Sequence, residues 1–131
     1  MGTWGTLPFE NDNASDWVWG LEEAEDTSVL TDTLEEVDAQ EELDEECEEG
    51  IAAAEVVAAL LGKPLADLPE EVAEFVKKLG KKKPSPALVK LAAKVVRRIA
   101  KASDLKARWD ESEDAKEWQK SLDDLLKRLG A

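Results

Sequence analysis

Histidine is absent from the 131 residues, and cysteine occurs once, at Cys47. No serine–histidine or cysteine–histidine nucleophile can form within the chain, no imidazole can ligate a metal, and neither an internal disulfide nor a cysteine-rich metal site can be built. Cys47 lies between acidic neighbours that disfavour its thiolate, so it reads as a buried structural thiol. Long hydrophobic runs are missing as well. No stretch of 18 apolar residues occurs, and the opening MGTWGTLPFEND has no basic segment leading into an apolar core. Neither a membrane span nor a secretory signal is expected, and the expected location is cytoplasmic. GTWG and GKPL, the glycine-bearing turns, lack the spacing of nucleotide-binding loops. No cofactor is expected.

The first fifty residues also lack any lysine or arginine. They hold 18 of the 31 acidic residues, whereas all 17 basic residues follow Gly50. Ten of those fall between Lys77 and Lys101, a stretch with no acidic residue. A net charge of −14 thus conceals a chain that is polar end to end. Hydrophobic residues still make up 43%, enough for one core in a chain of ordinary single-domain length, so residues 1–131 are expected to form one helical domain.

Helical spacing dominates the rest. Ala14, Trp17, Val18, Leu21 and Ala24 recur at intervals of three and four behind Asp12 and Asn13, either of which suits a cap, and Trp19 falls off that stripe. Leu30, Leu34 and Val37 give a second helix over about Ser28 to Gln40. Residues 41–46, EELDEE, read as an acidic connector. Ten of the eleven residues in IAAAEVVAALL, Ile51 to Leu61, are apolar, and a helix apolar on all sides must be surrounded by others. Gly62 and Pro64 end it. Asp67 and Glu70 stand at capping-box spacing before Val72, Phe75, Val76 and Leu79. After a basic loop over residues 80–85, Ser85 and Pro86 open a helix with Leu88, Leu91, Ala92, Val95 and Ile99 inward and Lys90, Lys94, Arg97, Arg98 and Lys101 outward. Asp104 is expected to cap a short helix with Leu105 and Trp109, and Ser112 a last one with Ala115, Trp118, Leu122, Leu125, Leu126 and Leu129 inside. No strand alternation and no repeat appears. The expected fold is all-α: a single bundle of about six or seven helices around a central apolar helix, with an N-terminal segment, residues 1–12, packed on it.

The segments MGTWGTLPFEND, AAAEVVAALLGKP and ARWDESEDAKEWQKSLDDLLKRL together resemble a bacterial family known as domain of unknown function 4259. The distinctive part is Trp4-Gly5 with Phe9 and Asn11-Asp12 after it. The likeness covers nearly the whole chain and implies a single domain. It implies no chemistry.

Four groups of residues stand out as candidate sites. Glu55 is the sole polar residue of the central helix, so its carboxylate must be paired, protonated or at a seam. A buried hydrogen bond, for instance to the backbone or indole around Trp4, is the plainer expectation. Asp12 and Asp16, one turn apart, would with Glu55 or Glu48 offer oxygen ligands to a hard divalent cation, although capping and helix-dipole placement also account for both. Trp4, Gly5 and Phe9 form the N-terminal structural motif. Trp19 with Glu41, Glu42, Glu45 and Glu46 forms a candidate partner surface.

With the nucleophiles gone, catalysis would fall to carboxylate-held metal and an activated water, a metal-dependent hydrolase. Nucleic-acid binding through Lys77–Lys101 is disfavoured by the acidic half, which repels a polyanion. The acidic half instead suits a basic protein surface, in the manner of inhibitor or immunity-type proteins. The remaining alternative is charge that only solubilises.

Overall fold

A computed structural model describes residues 12–24, 26–43, 47–64, 68–79 and 83–130. Trp4, Gly5, Phe9, Glu45 and Glu46 lie outside the described residues, as does the side chain of Asp12. Seven α-helices and one 3-10 turn, and no strand, occur among the described residues: α1 Asp12–Trp19, the turn Gly20–Glu22, α2 Ser28–Asp38, α3 Cys47–Leu60, α4 Glu70–Leu79, α5 Pro86–Lys101, α6 Asp104–Asp110 and α7 Ala115–Arg128. The all-α bundle is as expected.

α3 occupies the centre because its sequence leaves it no solvent face. Every residue from Gly50 to Leu60 is buried. α1, α2, α4, α5 and α7 all pack against it. Its alanines allow this, and Gly50 most of all: a Cβ there would stand 3.2 Å from Val37 Cγ2 of α2 and 3.4 Å from Val95 Cγ1 of α5. The helix starts a turn earlier than its apolar run, at Cys47, since Glu48 and Glu49 favour the positive end of the helix dipole. Its end is a Schellman motif. The Lys63 N–H donates to the Ala58 carbonyl and the Gly62 N–H to that of Ala59, with Gly62 at φ +85°.

The inward stripes fall as the spacing requires. Leu30, Leu34 and Val37 of α2, Val72, Phe75 and Leu79 of α4, and Leu88, Ala92, Val95 and Ile99 of α5 are buried, while Val76 and Leu91 are half-buried. Trp118 is buried in α7 and stacks on Trp109 of α6, with ring centroids 6.2 Å apart.

Several caps differ from expectation. Asn13 is not a cap but lies inside α1, its side-chain amide donating to Glu48 Oε1 at 2.8 Å and tying α1 to the first turn of α3. α4 opens at Glu70, where the Pro69 carbonyl accepts its first bonds; the expected cap Asp67 lies outside the described residues. Ser103, not Asp104, caps α6: its Oγ accepts from the Lys106 N–H at 2.9 Å. Ser112 does not cap α7, which starts after Asp114; its Oγ accepts from the Asp114 N–H at 3.1 Å and shapes the preceding turn. Ser85 caps α5 as expected, accepting from the Leu88 N–H at 3.1 Å with Pro86 as first helical residue.

Candidate interaction surface

Glu55 is fully buried, and its partner is Arg128 in the last turn of α7. The guanidinium donates through both terminal nitrogens, at 2.6 Å to Oε1 and 2.9 Å to Oε2, and its Nε donates to Asp124 Oδ2 at 2.8 Å. Burial pushes the Glu55 carboxyl above its ordinary range, against the lowering effect of Arg128. With both oxygens engaged in a two-pronged bond, the group clamps α7 onto α3. The expected partner around Trp4 lies outside the described residues. Asp16 is exposed on α1, away from any such clamp, and among the described residues no group of three His, Cys, Asp or Glu side chains is placed to hold a metal.

Glu48 and Glu49 sit at the buried start of α3. Glu49 Oε2 is enclosed with no hydrogen-bond partner among the described residues, and burial, followed by the charge of Glu48, raises its pKa. Cys47 beside them is pushed up to about 11, first by burial and then by Asp104 and Glu49. Its thiol is buried, as expected.

The outer face of the acidic half is built differently. At 100° per residue, Trp17 and Trp19 project from opposite sides of α1. Trp17 turns inward, and its Nε1 donates to Thr33 Oγ1 at 2.9 Å, pinning α1 to α2. Trp19 is left 69% exposed, the sole large hydrophobic side chain so exposed among the described residues. Immediately after it, the Gly20 turn and α2 enclose a shallow groove of about 550 Å³. Glu23, Asp26, Asp32 and Glu36 line it, and among the described residues no lysine or arginine does. Asp26 also accepts from the Ser28 N–H at 2.9 Å, which fixes the entry to α2.

Glu41 and Glu42 are exposed, but past the other end of α2. They line a separate groove with Arg98, Lys101 and Asp104, where the charge is mixed. The acidic surface beside Trp19 is therefore made by Glu23 and Asp26, which follow the 3-10 turn, and by Asp32 and Glu36 of α2, none of which linear reading singled out. A clue was present: Asp32 and Glu36 are four apart on the side of α2 away from Leu30, Leu34 and Val37.

Arg98 was expected to face solvent and does not. It reaches across to α2, where Nη1 donates to the Asp38 carbonyl at 2.6 Å and to Asp38 Oδ1 at 3.0 Å, and Nη2 donates to the Gln40 carbonyl. A guanidinium thus closes the carbonyl end of α2, where positive charge is favourable. Lys94 adds a bond to Asp38 Oδ2 at 3.1 Å. Burial alone would raise the Asp38 pKa, but the hydrogen bonds and charges of Lys94 and Arg98 outweigh it and hold the carboxyl below its ordinary value.

A family model described as Domain of unknown function (DUF4259) matches residues 2–121. No curated protein and no solved structure matches the chain.

Proposed function

Because this chain belongs to the DUF4259 family, whose description carries no activity, we propose a function from its surface: a protein-interaction module that binds a basic protein, as acidic inhibitors do. One observation carries the reading. An exposed tryptophan adjoins a groove lined, among the described residues, by four carboxylates and no cation. Carboxylates alone would attract any cation; an aromatic anchor at the edge of the patch adds the apolar contact on which specific binding depends. Electrostatic attraction in such a pair acts over about 8 Å at physiological ionic strength, so the association rate should fall steeply as salt rises.

The test is capture from native lysate with the intact chain and three variants: Trp19→Ala; Glu23→Gln with Asp32→Asn and Glu36→Gln; and Glu41→Gln with Glu42→Gln, Glu45→Gln and Glu46→Gln. Recovery of one basic protein that is lost with the first two variants supports the groove beside Trp19. Loss with the third as well extends the contact to the connector. Equal recovery of miscellaneous basic proteins by all four leaves only solubilising charge and ends the proposal.

A further inference from the structure

A second groove, of about 690 Å³, opens where the ends of α3 and α7 meet the first half of α5. Leu61, Val89, Ala93 and Leu129 form apolar walls, and its charged lining residues are Lys90 and Arg97. On α5 the two cations share one side of the helix with Val89 and Ala93, and stand two turns, about 10 Å, apart. One step round the same helix, Lys94 and Arg98 are held by Asp38 and the end of α2. Lys90 and Arg97 have no such partner: both are exposed, and neither makes a hydrogen bond or ion pair among the described residues. In a chain with 31 acidic side chains, a groove whose charges are both positive and both unanswered is complementary to an anion.

The uncharged lining defines the rest of the ligand. Among the described residues it has no hydroxyl, amide or carboxylate side chain and no aromatic ring, and its two prolines, Pro84 and Pro86, bring no N–H. A sugar, a nucleotide base or an extended peptide would find only two cations to meet its many polar groups. A hydrocarbon chain has no polar group to meet. The volume falls within the range of small-molecule sites, and the apolar surface is recessed, with Ala93 and Leu129 buried and Leu61 and Val89 half-buried. Membrane binding draws instead on apolar side chains that protrude. The sole large hydrophobic side chain so exposed among the described residues is Trp19, which stands beside carboxylates.

We propose that this groove binds a single-chain carboxylate of the fatty-acid class, its alkyl chain against Leu61, Val89, Ala93 and Leu129 and its head group met by the long side chains of Lys90 and Arg97. The net charge of −14 repels such an anion at long range, but at about 0.15 M salt that repulsion is screened beyond about 8 Å, whereas the two cations act at contact. The site shares no lining residue with the groove beside Trp19, so it stands or falls apart from the interaction reading.

Isothermal titration of the full chain with dodecanoate, kept below the concentration at which it forms micelles, decides it. Saturable one-to-one binding is expected, tighter than that of octanoate by about tenfold or more because four further methylenes leave water. Dodecyltrimethylammonium, with the same chain and the opposite charge, should bind about tenfold more weakly than dodecanoate or worse. Lys90→Glu with Arg97→Glu should reverse that preference while circular dichroism shows unchanged helicity. Lys116→Glu with Lys120→Glu, an equal change of charge at exposed positions of α7, should leave dodecanoate binding as it was. An intact chain that binds no dodecanoate overturns the inference, as does equal affinity for the two head groups or dodecanoate binding that survives the reversal of Lys90 and Arg97. Binding of phosphatidylglycerol vesicles, or of a helical peptide of leucines flanked by glutamates, in place of dodecanoate would give the groove to a membrane or a protein helix and overturn it too.

Discussion

Removing one half of the Glu55–Arg128 pair leaves a charge without its counterpart inside helical packing, since Glu55 is fully buried and the Arg128 side chain is 14% exposed. Breaking a buried pair in this way costs about 3–5 kcal/mol, while replacing both members by apolar residues is often near neutral. Arg128→Leu should therefore destabilise the domain by several kcal/mol in chemical denaturation, and Glu55→Leu with Arg128→Leu should recover most of the loss. Additive single effects would show that the pair is not the clamp. Glu55 was legible as the odd residue of its helix. Arg128 was not, because 73 residues separate the partners and no periodicity links them. Cys47 is the second residue whose chemistry is exposed to test: with a pKa of about 11 and a buried sulfur, it should react with a thiol reagent at pH 8 no faster than the domain unfolds, and immediately in denaturant. Rapid labelling of the native protein would contradict its burial.

Elements were more legible than single partners. Seven helices follow from the spacing of leucines, valines and alanines, because a repeat of three and four survives whatever the helix packs on. Caps shifted, because Ser103 and Asp104, or Ser112 and Asp114, are equally good cap formers, and the choice depends on the path of the incoming chain. In α6 that path is set by a distant bond, from the Asp104 N–H to the Leu43 carbonyl at 2.7 Å. Arg98 was missed for the same reason: its place on α5 is periodic, but its ligand is the end of α2. Gly50 is where elements approach most tightly, with α2 and α5 both against one turn of α3. A methyl group there gains up to about 1 kcal/mol of helix propensity and meets Val37 at the limit of contact, so Gly50→Ala should lie near neutrality. Gly50→Leu overpacks the junction and should lose about 1–3 kcal/mol or more in urea unfolding. Tolerance of leucine would mean that α2 can lift from α3 without cost.

At the scale of the whole molecule, charge and burial act in the same direction on pH. The burial-raised pKa values of Glu49 and Glu55 mean that the folded chain binds protons more tightly there than the unfolded chain. Stability from these groups is present below the ordinary value of 4.5 and declines as pH rises through their raised values. Asp38 has the opposite sign. Held below 3.8 by Lys94 and Arg98, it contributes stability above that value which is lost as pH falls through its folded pKa. The net charge adds to the first trend, because 31 acidic against 17 basic residues repel one another more as pH climbs away from the isoelectric point near 4.4. The unfolding midpoint should therefore peak at mildly acidic pH and decline towards neutrality, and at pH 7 added sodium chloride should raise it by screening the acidic half. Asp38→Asn should lower the midpoint at neutral pH, where the ionised carboxylate contributes, change it least in acid, and so flatten the loss on the acid side. A midpoint that rises steadily to pH 7, or falls with added salt there, would mean that cross-helix ion pairs such as Asp38 with Arg98, and not the acidic outer face of α1 and α2, dominate the electrostatics of this fold.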